Sequence, residues 1–181
     1  KDASLAPQPP EYHFPLVELL KLAKPVSEDN VGEELRLNAE RLVSTLKSFG
    51  VQTKIVDVTR GPTVTRYELQ PSAGVKISKI TSLADDIALN LAAAGVRIEA
   101  PIPNKPAVGI EVPNKVVGTV SIREIIDSPE FRDAKSKLTV SLGRDIAGKV
   151  SVMDLAKMPH MLIAGATGSG KTRGFVKPFI L

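Results

Sequence analysis

The chain has 181 residues, enough for one ordinary domain or two small ones, and its 43% apolar content suffices for a hydrophobic core. It contains no cysteine, which excludes disulfides and thiolate metal sites. No apolar run in the sequence approaches the roughly 20 residues that span a bilayer, and no signal peptide opens it. The net charge of +4, with its basic excess in residues 121–181, permits a nucleic-acid partner without requiring one.

Residues 1–29 are predicted to form an extended arm or linker. Four of the first fifteen residues are prolines, a composition that favours extended chain over packed structure. Apolar residues between Tyr12 and Leu20 are able to dock on a neighbouring surface.

The next segment begins with a predicted helix and a hairpin. Asn30 and Glu33 match a capping box, and Gly50 supplies a C-terminal stop. The residues 51–58 and 63–69 alternate in hydropathy and are separated by a Gly-Pro turn, which predicts a β-hairpin. One helical face is predicted to be apolar, and it holds Leu35, Ala39, Leu42, Val43, Leu46 and Phe49.

A second helix and two more strands complete this unit. The helix is predicted to end at Gly95, and residues 96–100 and 107–112 are predicted strands joined by a turn rich in proline. Residues from about 30 to 115 thus form a small α+β unit without a recognisable catalytic cluster, and we interpret it as a packing and assembly module. The apolar stripe of the second helix holds Ile80, Leu83, Ala84, Ile87, Ala88 and Leu91.

The remainder of the chain, residues 118–181, begins with short helical turns at 121–127 and 129–134. Two strands, 138–142 and 150–153, flank a loop suited to a hairpin connection. After a Pro159-His160 pair, the apolar run from Met161 to Ala164 is predicted to be a fully buried parallel strand.

The motif that follows this run reads G-x-x-x-x-G-K-T, the phosphate-binding P-loop, for which a strand before and a helix after are required. Gly165, Gly168 and Gly170 let successive backbone amides point at one anion. Lys171 is predicted to contact the β- and γ-phosphates of ATP, and Thr172 to bind Mg²⁺ through its hydroxyl. We therefore name Lys171 and Thr172 as catalytic. The predicted nucleotide-binding residues are Gly165, Ala166, Thr167, Gly168, Ser169, Gly170, Lys171 and Thr172.

The residues after the P-loop do not complete an ATPase site. Gly174 and Pro178 both interrupt the expected helix. No apolar strand ending in Asp or Glu follows to orient Mg²⁺ and the attacking water, and Asp154 lies upstream after a short, mixed run. We expect the chain to be the front of a longer protein, or a truncated product, that hydrolyses ATP poorly alone.

With these motifs placed, the sequence from about Tyr12 to Thr172 resembles the motor region of the FtsK/SpoIIIE family of double-stranded DNA translocases. Several blocks in family order are more specific than the P-loop alone. Beyond the P-loop, the blocks that carry the resemblance are residues 61–68, 71–76, 96–103, 109–114, 142–148 and 158–160.

The resemblance implies an α/β fold: a small α+β assembly subdomain over residues 30–117, then an incomplete RecA-like P-loop NTPase subdomain over residues 118–181. It further implies a homo-hexameric ring around double-stranded DNA, translocation driven by ATP, and a role in chromosome segregation and cell division. Members usually carry a membrane anchor, which implies a cytoplasmic motor whose parent is held at the bacterial inner membrane. His160 falls where the family has a histidine, and we interpret it as structural.

Three alternatives remain open at this stage. The first alternative is a ring-assembly and nucleotide-binding module that does not hydrolyse ATP, and the second is a small-molecule kinase. The third alternative is a DNA pump like the coupling proteins of conjugation, which residues 173–181 resemble. Under the leading hypothesis, DNA contacts are mostly to phosphates. The candidate contacts are Arg60, Arg66, Lys76 and Lys79.

Overall fold

The computed structural model describes residue 13, residues 15–22 and residues 31–164. Within these ranges the chain forms a four-stranded antiparallel sheet covered by helices, followed by a smaller unit built on a two-stranded sheet. The predicted mixture of helix and antiparallel strand is confirmed.

The first helix, α1, spans Val31–Ser48. As predicted, Gly50 stops the helix just beyond its last residue, with a φ of +69°. The amide of Val51 donates to the carbonyl of Leu46 at 2.9 Å and closes the helix end. Phe49, predicted on the apolar face, is instead 40% exposed because it follows the last helical residue, where the turn carries it outward. The predicted cap Asn30 lies outside the described residues.

The predicted hairpin is confirmed as β1 (Thr53–Arg60) and β2 (Val64–Pro71), which pair antiparallel. A register shift between Ile55 and Asp57 places one extra residue in β1. This bulge turns Val56 outward, and its side chain is 58% exposed.

The second predicted helix is divided into α2 (Ile77–Thr81) and α3 (Ala84–Asn90). The hydroxyls of Thr81 and Ser82 donate to carbonyls three residues earlier, which competes with continued α-helix. The predicted stop at Gly95 is wrong. The turn closes earlier, at Ala92 with a φ of +50°, where the amide of Ala93 donates to the carbonyl of Ala88.

Strands β3 (Arg97–Glu99) and β4 (Val108–Pro113) complete the larger sheet, in the order β1-β2-β4-β3. Tyr67 of β2 lies opposite Ile110 of β4, and both side chains are buried against the helices. Each Leu or Ile fully buried in this core contributes about 1.5–3 kcal/mol. The core is therefore the main source of stability in the first unit.

The second unit contains α4 (Ile122–Ile126), α5 (Pro129–Arg132), β5 (Thr139–Arg144) and β6 (Val150–Asp154). Strands β5 and β6 pair antiparallel, so the predicted hairpin is confirmed, as are the two short helical turns. Ile125 and Met153 are the buried apolar side chains of this unit within the described part of the chain.

The four residues of the predicted parallel strand, Met161–Ala164, are described and carry no strand. They are exposed, and Leu162 is 93% exposed. A parallel strand gains its hydrogen bonds and its burial from neighbouring strands, and the described residues place none beside this run. The buried strand is therefore not formed in this structure.

Candidate functional site

The predicted nucleotide-binding residues, Gly165–Thr172, lie outside the described residues. The structure does define the chain that leads to them, from β6 to residue 164. Asp154 ends β6 and accepts hydrogen bonds from the amide of Ala156 at 3.0 Å and the hydroxyl of Ser136 at 2.8 Å. Its carboxylate therefore caps the short 3₁₀ helix Leu155–Lys157. This structural role agrees with its rejection as a magnesium ligand.

His160, which we interpreted as structural, is exposed in the approach to the P-loop. It therefore has no packing role in the described structure.

The two units meet at the turn between β1 and β2. Gly61 is buried, and a Cβ built on it would overlap the carbonyl oxygen of Ile146, at the tip of the β5–β6 hairpin. On the same side of the turn, a Cβ on Gly148 would lie 3.8 Å from the carbonyl of Arg60, an ordinary contact. The hairpin tip therefore packs directly against the backbone of the turn.

Asn114, just after β4, holds this turn from the other side. Its amide group donates to the carbonyl of Gly61 at 2.9 Å, and its side-chain oxygen accepts from the hydroxyl of Thr65 at 2.7 Å. Its backbone amide donates to Thr63, and the amide of Gly118 donates to Pro62 at 2.7 Å. These bonds satisfy the carbonyls of a turn that leaves the sheet ladder.

The sheet face away from the helices carries an ion-pair cluster centred on Arg66. Nη2 of Arg66 lies 2.6 Å from Oε2 of Glu99, and Nη1 lies 3.6 Å from Oε1 of Glu111. The Arg66 side chain is only 14% exposed. The remaining contacts are Arg66 to Glu68 at 3.8 Å, Arg97 to Glu111 at 3.5 Å, and Lys105 to Glu68 at 2.8 Å.

The cluster is balanced in charge, since its three basic and three acidic side chains cancel. Arg66 Nε and Glu111 Oε1 are buried without a hydrogen-bond partner among the described residues. Breaking such a buried set on one side leaves uncompensated charge, which is strongly unfavourable. Arg66 is therefore enclosed by ion pairs rather than solvated at the surface, and its contact with DNA phosphates stays a prediction.

Sequence reasoning overlooked this cluster although a signal existed. Arg66 and Glu68 are two residues apart on β2, and Arg97 and Glu99 are two apart on β3. Because side chains of a strand alternate between faces, each pair lies on one face of the sheet. Opposite charges at a period of two predict an ion-paired face.

Two of the other candidate DNA contacts are exposed: Lys76 precedes the first residue of α2, and Lys79 lies in its last turn. Nζ of Lys79 donates to the carbonyl of Gly50 at 3.3 Å. Arg60 ends β1 and is partly buried. Their contact with DNA stays a prediction.

Tyr67 is the one residue with a resolved pKa shift among the described residues. Burial raises the pKa of its hydroxyl above the ordinary value of 10.0, and the nearby charge of Glu34 raises it further. A side-chain hydrogen bond with Asn38 and the charge of Arg60 act in the opposite direction. This tyrosine is a core residue on the helix side of the sheet, away from the ion-pair cluster.

Within the described ranges, no group of three or more His, Cys, Asp and Glu side chains is arranged to hold a metal ion. No helix of the described structure combines the length and hydropathy that a membrane span needs.

Two family models match the chain in sequence order. The model of the FtsK alpha domain matches residues 14–114, and the model of the FtsK/SpoIIIE family matches residues 121–181. The DNA translocase FtsK of Caldanaerobacter subterraneus subsp. tengcongensis is 58% identical over 162 residues, covering 90% of this chain and 23% of that protein.

Other relatives give the same result. The DNA translocase FtsK of Clostridium tetani is 58% identical over 165 residues, covering 90% of this chain and 22% of its own length. That of Listeria monocytogenes is 52% identical over 161 residues, covering 89% and 21%. The chain thus spans about a fifth of the length of the curated relatives it matches.

Among solved structures, the pCW3 conjugation coupling protein TcpA, in its monomer form with ATPgS, aligns with a TM-score of 0.36 at 19% identity. The alignment covers 75% of this chain and 39% of that chain. A similarity of this size supports no further conclusion.

Proposed function

Because the chain belongs to the FtsK/SpoIIIE family, we propose that it is part of a motor that uses ATP to translocate double-stranded DNA in chromosome segregation and cell division. The observation that carries the proposal is the ordered pair of family matches over residues 14–114 and 121–181. The second match includes the P-loop sequence, so the match and the phosphate-binding motif support the same activity.

The side chains of the P-loop fit ATP with Mg²⁺ by their chemistry. Glycines at 165, 168 and 170 allow close approach of backbone amides to phosphate, Lys171 supplies a positive charge, and Thr172 supplies a hydroxyl. These residues would hold the triphosphate and the metal ion. Bound ATP supplies the free energy of phosphoryl transfer, while the protein contributes positioning and charge stabilisation.

We also propose the division of the chain into an arm (1–29), an assembly subdomain (30–117) and the start of a RecA-like ATPase subdomain (118–181). The separate four-stranded and two-stranded sheets support this division. The parent is proposed to form a hexameric ring around DNA in the cytoplasm, anchored to the bacterial inner membrane by a segment other than this chain.

A chimeric translocase tests the motor function. Residues of this chain replace the matching 162-residue segment of the Caldanaerobacter relative, to which they are 58% identical. ATP-driven movement along double-stranded DNA is then compared for the chimera and its Lys171→Ala variant. Loss of the ammonium should lower the rate roughly 100-fold or more, because preorganised charge at the phosphates is removed.

Lys157→Ala is the matched control, since Lys157 lies in the same approach to the P-loop with a side chain that is 83% exposed. It should move DNA at the rate of the unmodified chimera. Movement that survives Lys171→Ala, or a chimera that binds ATP and DNA in rings without hydrolysis, would overturn the proposal. The second outcome would instead support the assembly module.

DNA affinity as a function of salt tests the proposed contact with phosphates. Each neutralised phosphate contributes about 0.9 to the slope of log affinity against log salt. We expect a steep, sequence-independent decrease in affinity as salt rises. An affinity that is unaffected by salt would contradict a phosphate-tracking motor.

A further inference from the structure

Gly61 lies at a close contact between the two units. Gly61 is buried in the β1–β2 turn, where the carbonyl of Ile146 occupies the space that any side chain would need. The backbone at Gly61 is not in the left-handed region, so the need for glycine here is steric. Even a single methyl group would force the hairpin tip away from the turn.

The turn itself is fixed to the first unit. Asn114 donates to the carbonyl of Gly61 and also accepts from Thr65, so it ties the turn to β2. The amide of Gly61 donates to the carbonyl of Val64 at 2.9 Å, which closes the turn. A displacement at the Gly61 contact is therefore taken up by the second unit.

The second unit carries the chain toward the P-loop. The β5–β6 hairpin contacts the turn at its tip, and its second strand continues through the 3₁₀ helix Leu155–Lys157 to residue 164. Arg144 stiffens the hairpin, since it donates to the carbonyl of Gly148 at 2.7 Å and ion-pairs with Glu124 of α4 at 3.3 Å. The position of the hairpin tip against the β1–β2 turn therefore sets the orientation of the whole hairpin.

Beside this contact, the two units are separated by an open cleft of about 370 Å³. Pro62 and Thr63 line one side of the cleft, and residues 141–146 line another. Because the cleft leaves that side of the boundary unpacked, we expect the close contact at Gly61 to influence the angle between the units.

We infer that Gly61 is a positioning residue of the motor, whose close contact with the Ile146 carbonyl orients the P-loop-bearing unit on the assembly unit. This inference deepens the proposed function and rests on it for its consequence. Displacing the hairpin tip should leave ATP binding intact and reduce the DNA movement obtained from each ATP hydrolysed.

The geometric part is testable on this chain without ATP or DNA. The chain has no cysteine, so Lys47→Cys in α1 and Glu130→Cys in α5, both at exposed residues, give two specific spin-label sites. Gly61→Ala should displace or broaden the distance distribution between the labels. Gly95→Ala is the matched control, since a Cβ there has no atom within 4 Å and the backbone is not in the left-handed region.

Asn114→Ala provides a second variant that introduces no clash. It removes the side-chain hydrogen bonds of Asn114 to Gly61 and Thr65 that hold the turn. The same distance distribution should therefore broaden. Asn90→Ala, which loses only a local helix bond to Asp86, should not. Unchanged distributions in both Gly61→Ala and Asn114→Ala, with circular dichroism showing intact folds, would overturn the inference.

The functional part uses the chimeric translocase. Gly61→Ala should reduce DNA movement per ATP hydrolysed several-fold while nucleotide affinity stays unchanged, and Gly95→Ala should behave as the unmodified chimera. Equal movement per ATP in both variants would refute the positioning role. A chimera that never moves DNA would instead refute the proposed function. The distances between the spin labels would still test whether the Gly61 contact orients the two units.

Discussion

The guanidinium group of Arg66 lies against the backbone of Gly109. A Cβ built on Gly109 would be 3.1 Å from both Nε and Nη2 of Arg66. Gly109 is opposite Glu68 on one neighbouring strand and opposite Glu99 on the other. Arg66 therefore crosses the bare backbone of Gly109 to reach Glu99, and the cluster depends on the missing side chain.

Gly109→Ala should destabilise the first unit. An alanine in a strand normally gains about 0.5–1 kcal/mol over glycine through the entropy of the unfolded chain. Here the methyl group would require the guanidinium to shift by a few tenths of an ångström while its ion pairs hold it in place, and overpacking of this kind costs about 1–3 kcal/mol. Urea denaturation followed by circular dichroism measures the net change in the free energy of unfolding.

Gly95→Ala serves as the reference for that experiment, because an added Cβ meets open space there. It should be neutral or slightly stabilising. If Gly109→Ala proved as stable as Gly95→Ala, the packing of Arg66 on Gly109 would have no energetic importance.

Arg66→Met should be strongly destabilising. It removes the positive charge at the centre of three acidic side chains, of which those of Glu68 and Glu111 are 8% and 6% exposed. Removing one partner of a buried ionic set costs about 3–5 kcal/mol. Comparison of chemical denaturation midpoints at neutral pH gives the difference from the unmodified chain.

Arg36→Met is the matched control, since Arg36 pairs with Glu40 on the surface of α1 with side chains 62% and 59% exposed. An exposed pair of this type contributes only about 0.3–0.5 kcal/mol. Equal losses for the two arginine variants would show that the cluster is no more important than a surface pair.

Tyr67 should make stability depend on pH in the alkaline range. Its folded pKa is raised above 10.0, so its contribution is fully present below about pH 10 and is lost as the pH rises through the folded pKa. The free energy of unfolding should decrease over that range as the unfolded chain releases the proton first. Thermal melts between pH 8 and pH 11 measure this decrease.

Tyr67→Phe should flatten the alkaline decrease, although it also removes the hydrogen bond with Asn38. The sequence has one other tyrosine, Tyr12, so Tyr12→Phe is the matched control and should keep the slope. If the decrease in stability with rising pH persisted in Tyr67→Phe and disappeared in Tyr12→Phe, Tyr12 rather than Tyr67 would be its cause, and the prediction would be wrong.

Arg123→Met should release the segment at residues 15–22 from α4. Nη1 of Arg123 donates to the carbonyl of Leu20 at 3.0 Å, and the hydroxyl of Ser121 donates to that of Lys21 at 3.1 Å. A hydrogen bond from a charged donor contributes about 1.5–3 kcal/mol, equivalent to roughly tenfold or more in an opening equilibrium. Hydrogen exchange at the amides of Leu19 and Leu20 should accelerate accordingly.

Arg132→Met is the comparison for this effect, because Arg132 pairs with Asp127 and does not contact the segment. Its exchange rates at residues 15–22 should match those of the unmodified chain. Unchanged exchange in Arg123→Met would mean that the segment is held by other contacts.

The sequence predicted the helix, the two hairpins and the small helical turns because those signals are local. Gly50 ends α1 because it adopts a positive φ without steric cost, and a chain can be searched for such residues. The division of the second helix at Ser82 was missed, because its apolar stripe is continuous while the competing hydroxyl bonds are visible only in the structure.

By itself, then, the sequence determined the order of elements, the family and the phosphate-binding motif, since each is specified by residues close together in the chain. Only the tertiary structure decided that Arg66 is enclosed by carboxylates and that Gly61 receives the carbonyl of Ile146. It also showed that no strand among the described residues lies beside Met161–Ala164 to bury them. These facts depend on contacts between distant segments, and a pattern within one segment does not specify what packs against it.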